Sequence, residues 1–144
     1  MAAVFDFNRE EYAMLHPLVA LITCFAILLY IILAAQVGRA RGLYKIAAPA
    51  TTGNADFERI FRVQQNTMEG LVAFIPSLWM FTWYISANWA AGIGFVWIVA
   101  RVWYAIGYTN AADKRGAGFG LSMLALGILL IGSIIGAGLS LFYR

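Results

Sequence analysis

Apolar positions fall into four runs, roughly residues 15–37, 71–86, 91–111 and 116–142, separated by short polar stretches. A helix needs about 20 apolar residues to cross a hydrocarbon layer of about 30 Å. The second run differs from the others. It is preceded without a break by residues 57–69, FERIFRVQQNTME, so the pattern predicts one helix over 57–86 with a polar first half and an apolar second half. Residues 87–90 and 112–115 read as tight connections, which favour antiparallel neighbours. The predicted architecture is all-α, a single domain over 1–144 forming an integral membrane four-helix bundle.

Composition agrees: 62% of the 144 residues are hydrophobic and 12% charged, a balance that a soluble domain of this size does not need. The start, MAAVFDFNREEYAM, carries Asp6, Glu10 and Glu11 and lacks a basic stretch followed by an apolar core. It therefore does not read as a cleaved signal peptide, and the first helix is expected to stay in the mature protein. Arg39, Arg41, Lys45, Arg59 and Arg62 crowd the first loop region and Lys114 and Arg115 the third, whereas the second has no charge. That bias predicts loops one and three on the cytoplasmic side. The net charge of +3 is thus a topology signal; no basic stripe points to nucleic acid.

The polar residues that enter the second apolar segment are the main candidates for chemistry, because ionisable groups inside a membrane are costly without a partner, water or a ligand. Arg62, Asn66 and Glu69 stand at i, i+4 and i+7 and share one helix face. Arg101, Tyr104 and Tyr108 repeat such a spacing in the third helix, with Arg115 four turns along on nearly the same side. The two stripes are expected to meet. Structural alternatives stand beside this reading: Arg59 and Arg62 snorkelling to headgroups, Glu69 paired with Arg101, and tyrosines belting the interface. Guanidinium forks suit carboxylates and a lone Glu suits an ammonium, so the inventory fits a small zwitterionic peptide. Glutathione is the abundant cytosolic candidate.

On these residues the chain resembles the membrane-associated proteins in eicosanoid and glutathione metabolism, the MAPEG family. FERIFRVQQNTMEG is similar to that family's second-helix signature, with Arg62, Asn66 and Glu69 ahead of an apolar run containing Pro76. Arg101, Tyr104, Gly107-Tyr108 and Arg115 resemble its third-helix pattern. The resemblance implies a homotrimer with glutathione as cosubstrate, bound between neighbouring subunits at the cytosolic side. It also implies glutathione contacts at Arg41, Arg62, Gln64, Asn66, Glu69, Tyr104 and Tyr108, with Gln65 a weaker candidate. Arg115 matches the arginine assigned to stabilise the glutathione thiolate and is the expected catalytic residue. The implied activity is glutathione transfer to a lipophilic electrophile arriving from the membrane lipid, a detoxification chemistry, with peroxide reduction as a possible companion. Leukotriene-forming members carry a second Arg where this chain has Gly42 and a Tyr where it has Gly70, which argues against that specialised activity.

The remaining features read as structural. Cys24, the only cysteine, lies in apolar surroundings and is expected to pack. His16 has no Cys, His or acidic partner at ligand spacing, so no metal is expected. Trp79, Trp83, Trp97 and Trp103 are expected mainly as interfacial anchors. Gly132 and Gly136 form a GxxxG spacing suited to close helix contact. Two other functions remain in view: a non-catalytic lipid- or glutathione-binding protein of the same fold, disfavoured by Arg115 and the full Arg-Asn-Glu set, and a small exporter, disfavoured because 15–37 contains no carboxylate.

Overall fold

The structure, a computed structural model, describes residues 16–142. The amino-terminal stretch read as retained, and the expected first residue of the first helix, lie outside them. Four helices run up and down: α1 (Pro17–Tyr44), α2 (Ala55–Tyr84), α3 (Ala87–Asn110) and α4 (Gly116–Phe142), with a 3-10 turn at Ala112–Arg115 before α4. Among the described residues there is no strand.

Local chemistry accounts for the ends. Pro17 opens α1 at a position where its missing N–H is not needed. Lys45, in the left-handed conformation at φ 56°, closes it with an N–H to the Arg41 carbonyl. Asn54 caps α2 by accepting from the N–H groups of Asp56 and Phe57, and Asp56 and Glu58 lie in the first turn, where the helix dipole favours negative charge. Ser86 caps α3, so only Ile85 and Ser86 separate α2 from α3.

Two expectations are corrected here. The first helix extends seven residues past residue 37, so Arg39 and Arg41 lie on its last turns and not in a loop. Gly38 and Gly42, which invite a break, are carried through by the surrounding helix formers. Cys24 is exposed on the outer face of α1 and does not pack in the core. That face, with Leu18, Leu21, Phe25 and Ile31, is apolar and open, as lipid contact requires.

α1, α3 and the segment Ala112–Phe142 are each long and apolar enough to cross a membrane. α2 packs against all three other helices, and its Thr67, Ser77 and Thr82 are buried among them. Pro76 sits inside α2 without ending it. The core runs through Val19, Phe74, Leu78, Trp97 and Leu129, all fully buried or nearly so. Trp97 is therefore core and not an interfacial anchor: its ring stacks on Phe74 at 4.0 Å and 10°. Trp79 is half-buried and donates to the Thr23 hydroxyl at 3.1 Å, while Trp83 and Trp103 are exposed as an anchoring role requires.

Close approach of α2 and α4 depends on glycine, as the GxxxG spacing implied. A Cβ at Gly132 would run into the Phe81 ring, and one at Gly136 would stand 2.7 Å from Ile85 and 2.9 Å from Tyr84. Ser133, between them, donates to the Ser77 carbonyl at 3.1 Å across the same seam. With little hydrophobic drive between helices in lipid, such contacts carry the packing.

Candidate functional site

The connectivity brings the end of α1, the start of α2, the end of α3 and the start of α4 to one end of the bundle. The basic residues gather there. Along α2 and α3 the two polar stripes meet as their spacing predicts. The Asn66 amide donates to the Tyr104 hydroxyl at 2.7 Å, and the Arg101 guanidinium donates to the Asn66 carbonyl at 3.1 Å.

A cleft of about 590 Å³ opens at this junction, within the range of roughly 300–1,000 Å³ usual for small-molecule sites. Asn66, Glu69, Arg101, Tyr104 and Arg115 supply its polar wall, and Gly70, Ala73, Phe119, Met123 and Leu126 its apolar wall. Arg115 lies at the end of the 3-10 turn, so that short helix aims its guanidinium back over α3. It donates to the Tyr108 hydroxyl at 3.2 Å and covers the Tyr108 ring at 5.1 Å. Tyr104 and Tyr108 are neighbours at 5.7 Å between rings. The result is a ladder from Arg101 through two tyrosines to Arg115. Such an arrangement offers a fixed cation, an exposed carboxylate and hydrogen-bonding phenols on one side, with a greasy surface opposite.

The remaining expected contacts are placed differently. Arg62 is exposed and lines an adjoining cleft of about 600 Å³ with Arg59, Gln65 and Tyr108. Gln64 turns the other way, its amide donating to the Tyr30 hydroxyl of α1 at 3.1 Å. Arg41 straps the first loop, donating to the Ala50 carbonyl at 2.8 Å and lying 5.1 Å from the centre of the Phe57 ring. Within one chain, then, Asn66, Glu69, Tyr104 and Arg115 converge, with Tyr108 and Arg62 beside them, while Gln64 and Arg41 do not.

Arg59 pairs with Asp56 and donates to the Thr109 carbonyl at 3.3 Å, which fastens α2 to α3 and replaces the headgroup role read for it. Glu69 and Arg101 form no ion pair among the described residues. The α4 residues Phe119 and Met123 were missed in the sequence, where nothing marks them among so many apolar neighbours.

A family model, that of the MAPEG family, matches residues 19–135. The chain belongs to the MAPEG family. It is 50% identical over 116 residues to an uncharacterized protein of Synechocystis sp., covering 81% of this chain and 85% of that one. It is 48% identical over 104 residues to microsomal glutathione S-transferase 2 of Homo sapiens, covering 72% of this chain and 69% of that one. With leukotriene C4 synthase of Cavia porcellus it shares 35% identity over 128 residues, 89% of this chain and 83% of the relative. As a family member with three helices able to span the bilayer, the chain is a membrane protein.

Proposed function

We propose that this protein is a membrane-bound glutathione transferase that uses Arg115 to hold the glutathione thiolate for attack on a lipophilic electrophile. The observation that carries the reading is the cleft itself: Arg115, held by Tyr108 beside the cleft, the exposed carboxylate of Glu69 and the Tyr104 hydroxyl face an apolar wall, so a peptide thiol and a membrane-soluble acceptor can meet there. Relatives named as microsomal glutathione S-transferase 2 support it.

In this reading Glu69 takes the ammonium of glutathione, and Arg62 takes a carboxylate, with Asn66, Tyr104 and Tyr108 fixing the backbone between. A free thiol titrates near pH 8.5 and a neighbouring cation lowers that by about one unit or more. Arg115 cannot accept the proton, so the proton leaves to water and the guanidinium stabilises what remains. The tie from Arg115 to Tyr108 pre-sets that charge before the ligand arrives.

Gln64 and Arg41 point away from the cleft of their own chain. For them to contact glutathione a neighbouring copy must bring them, as the homotrimeric arrangement proposed here, with the ligand between subunits, would do. The basic end is then the cytoplasmic end, where glutathione is plentiful. In this reading the whole chain, 1–144, works as one membrane domain.

An ultraviolet difference titration with glutathione tests the reading. The expected result is a saturable thiolate band at neutral pH that vanishes in Arg115→Ala. Binding without a band in the wild type would overturn it in favour of a non-catalytic binder.

A further inference from the structure

A groove of about 420 Å³ runs between α1 and α3 and shares no residue with the cleft that Arg115 lines. Leu29, Ile32 and Leu33 of α1 and Val102, Ala105 and Ile106 of α3 form its walls, while Gln36, Thr109 and Asn110 close one end. The up-and-down order makes α1 and α3 parallel, so residues 29–36 and 102–110 climb together toward the basic end of the bundle. The groove is therefore zoned along the helix axes, apolar toward the middle of the bundle and polar toward the basic end.

That zoning coincides with the bilayer's own. From Pro17, where α1 begins, to Gln36 is about 20 residues, or about 30 Å at a rise of about 1.5 Å each, which is the thickness of the hydrocarbon layer. The α3 stretch from Ala87 to Thr109 covers a similar length, about 34 Å. The polar end of the groove thus stands where hydrocarbon gives way to headgroups. Ile32, Val102 and Ile106 are exposed, so the apolar part is open to acyl chains.

The polar end finds few partners within the chain. Gln36 and Asn110 are exposed, and neither side chain makes a hydrogen bond among the described residues. Arg59 donates to the Thr109 carbonyl and is itself paired with Asp56. Arg39 is exposed and has neither an ion pair nor a hydrogen bond among the described residues. Ile32, Gln36 and Arg39 stand at i, i+4 and i+7, so the guanidinium follows the amide on the same face, one turn nearer the basic end. A cation and two carboxamides above an apolar trough match a phosphate carried on an acyl chain, because a guanidinium fork takes two phosphate oxygens at once. A fatty acid matches less well. Its two carboxylate oxygens cannot serve donors on both helices, whereas a phosphodiester and the ester carbonyls beside it can.

We propose that the groove between α1 and α3 is a binding site for one glycerophospholipid per chain, with an anionic headgroup preferred. One acyl chain lies between Ile32 and Ile106, and Arg39, Gln36 and Asn110 meet the phosphate. The lipid joins α1 to α3 at the basic end and leaves the glutathione cleft free. This site goes beyond the transferase reading and does not depend on it.

The test uses the purified full chain, stripped of lipid in detergent and titrated with dioleoylphosphatidylglycerol, dioleoylphosphatidylcholine or oleate, with retained molecules counted by native mass spectrometry. The expected result is saturation at one phosphatidylglycerol per chain, about fivefold tighter than phosphatidylcholine, as one basic residue near an anionic headgroup provides. Arg39→Gln should bring the two phospholipids to equal affinity. Ile32→Trp fills the trough from a half-exposed position and should abolish retention of both. Phosphatidylglycerol should also raise the thermal midpoint of the wild type and not that of Ile32→Trp, since a ligand held only by the folded state stabilises it. Arg39 is exposed, so Arg39→Gln decides the matter if Ile32→Trp does not fold. No saturable phospholipid, oleate retained in its place, or a wild-type preference unchanged in Arg39→Gln would overturn the inference, and none of these outcomes bears on the thiolate band that tests the transferase reading.

Discussion

The two halves of α2 hold the same bundle by opposite means. In the polar half, α2 meets α3 through side chains that reach across, Asn66 to Tyr104 and Arg101 to Asn66, and a cleft remains between them. In the apolar half, α2 meets α4 almost without side chains, with Gly132 and Gly136 bringing the backbone onto Phe81, Tyr84 and Ile85. The first half gives up packing for open polar groups. The second leaves no room for any. The difference teaches where function and stability separate along a single helix, so substitutions in one half should alter chemistry and those in the other should alter folding.

Arg115→Ala is the largest expected effect on the polar side. Losing the fixed cation should lower conjugation by about 10²- to 10³-fold, the usual cost of removing one charge-stabilising group. The side chain is exposed and its one hydrogen bond among the described residues goes to Tyr108, so the thermal midpoint should move little. Turnover and thermal unfolding measured on one preparation check both halves of the claim; a variant that loses activity only as far as it unfolds would erase the distinction.

Next in size is a break on the apolar side. Gly132→Val places a branched side chain where the Phe81 ring already lies, and overpacking of this kind costs about 1–3 kcal/mol. Thermal unfolding in detergent should shift down clearly. Turnover per folded molecule should hold, because Gly132 does not line the cleft; a change in glutathione affinity would show that the halves are coupled.

Glu69→Gln sharpens the comparison within the cleft. It removes the charge assigned to the glutathione ammonium and keeps the shape, so calorimetry should find binding weaker by about tenfold, or about 1.4 kcal/mol. An unaltered dissociation constant would take Glu69 out of the site.

How much of this was legible depends on whether a feature is written in spacing or in three dimensions. The α2 and α3 stripes were legible, because i, i+4 and i+7 positions share a face whatever the packing, and Asn66 and Tyr104 do meet. The glycine seam was legible for the same reason. The extent of α1 was not: Gly38, Arg39 and Gly42 look like a loop, and only the fit of Val37 and Ala40 against Phe57 shows why the helix persists. Gln64 reads as one more polar residue in a polar run, yet its position on the helix turns it to Tyr30. The burial of Arg101 was hidden too, since it depends on Gly70, a residue from another helix that carries no side chain to announce it.

The smallest effect should come from Tyr104→Phe, and it asks how much of the polar half is scaffold. The Tyr104 ring is buried, at 1% exposure, and lies against the Phe119 ring at 6.0 Å, so the variant keeps the packing and deletes only the hydroxyl. What disappears is the acceptor of the Asn66 amide. A neutral hydrogen bond contributes about 1 kcal/mol net, so glutathione binding should weaken by roughly fivefold if Asn66 must be held in place to meet the ligand. Stability should fall by a similar amount, because the same bond joins α2 to α3. Equal shifts in both measurements mean that the polar half is scaffold and site at once. Loss of stability with unchanged affinity would make Tyr104 a packing residue whose hydroxyl serves only the bundle.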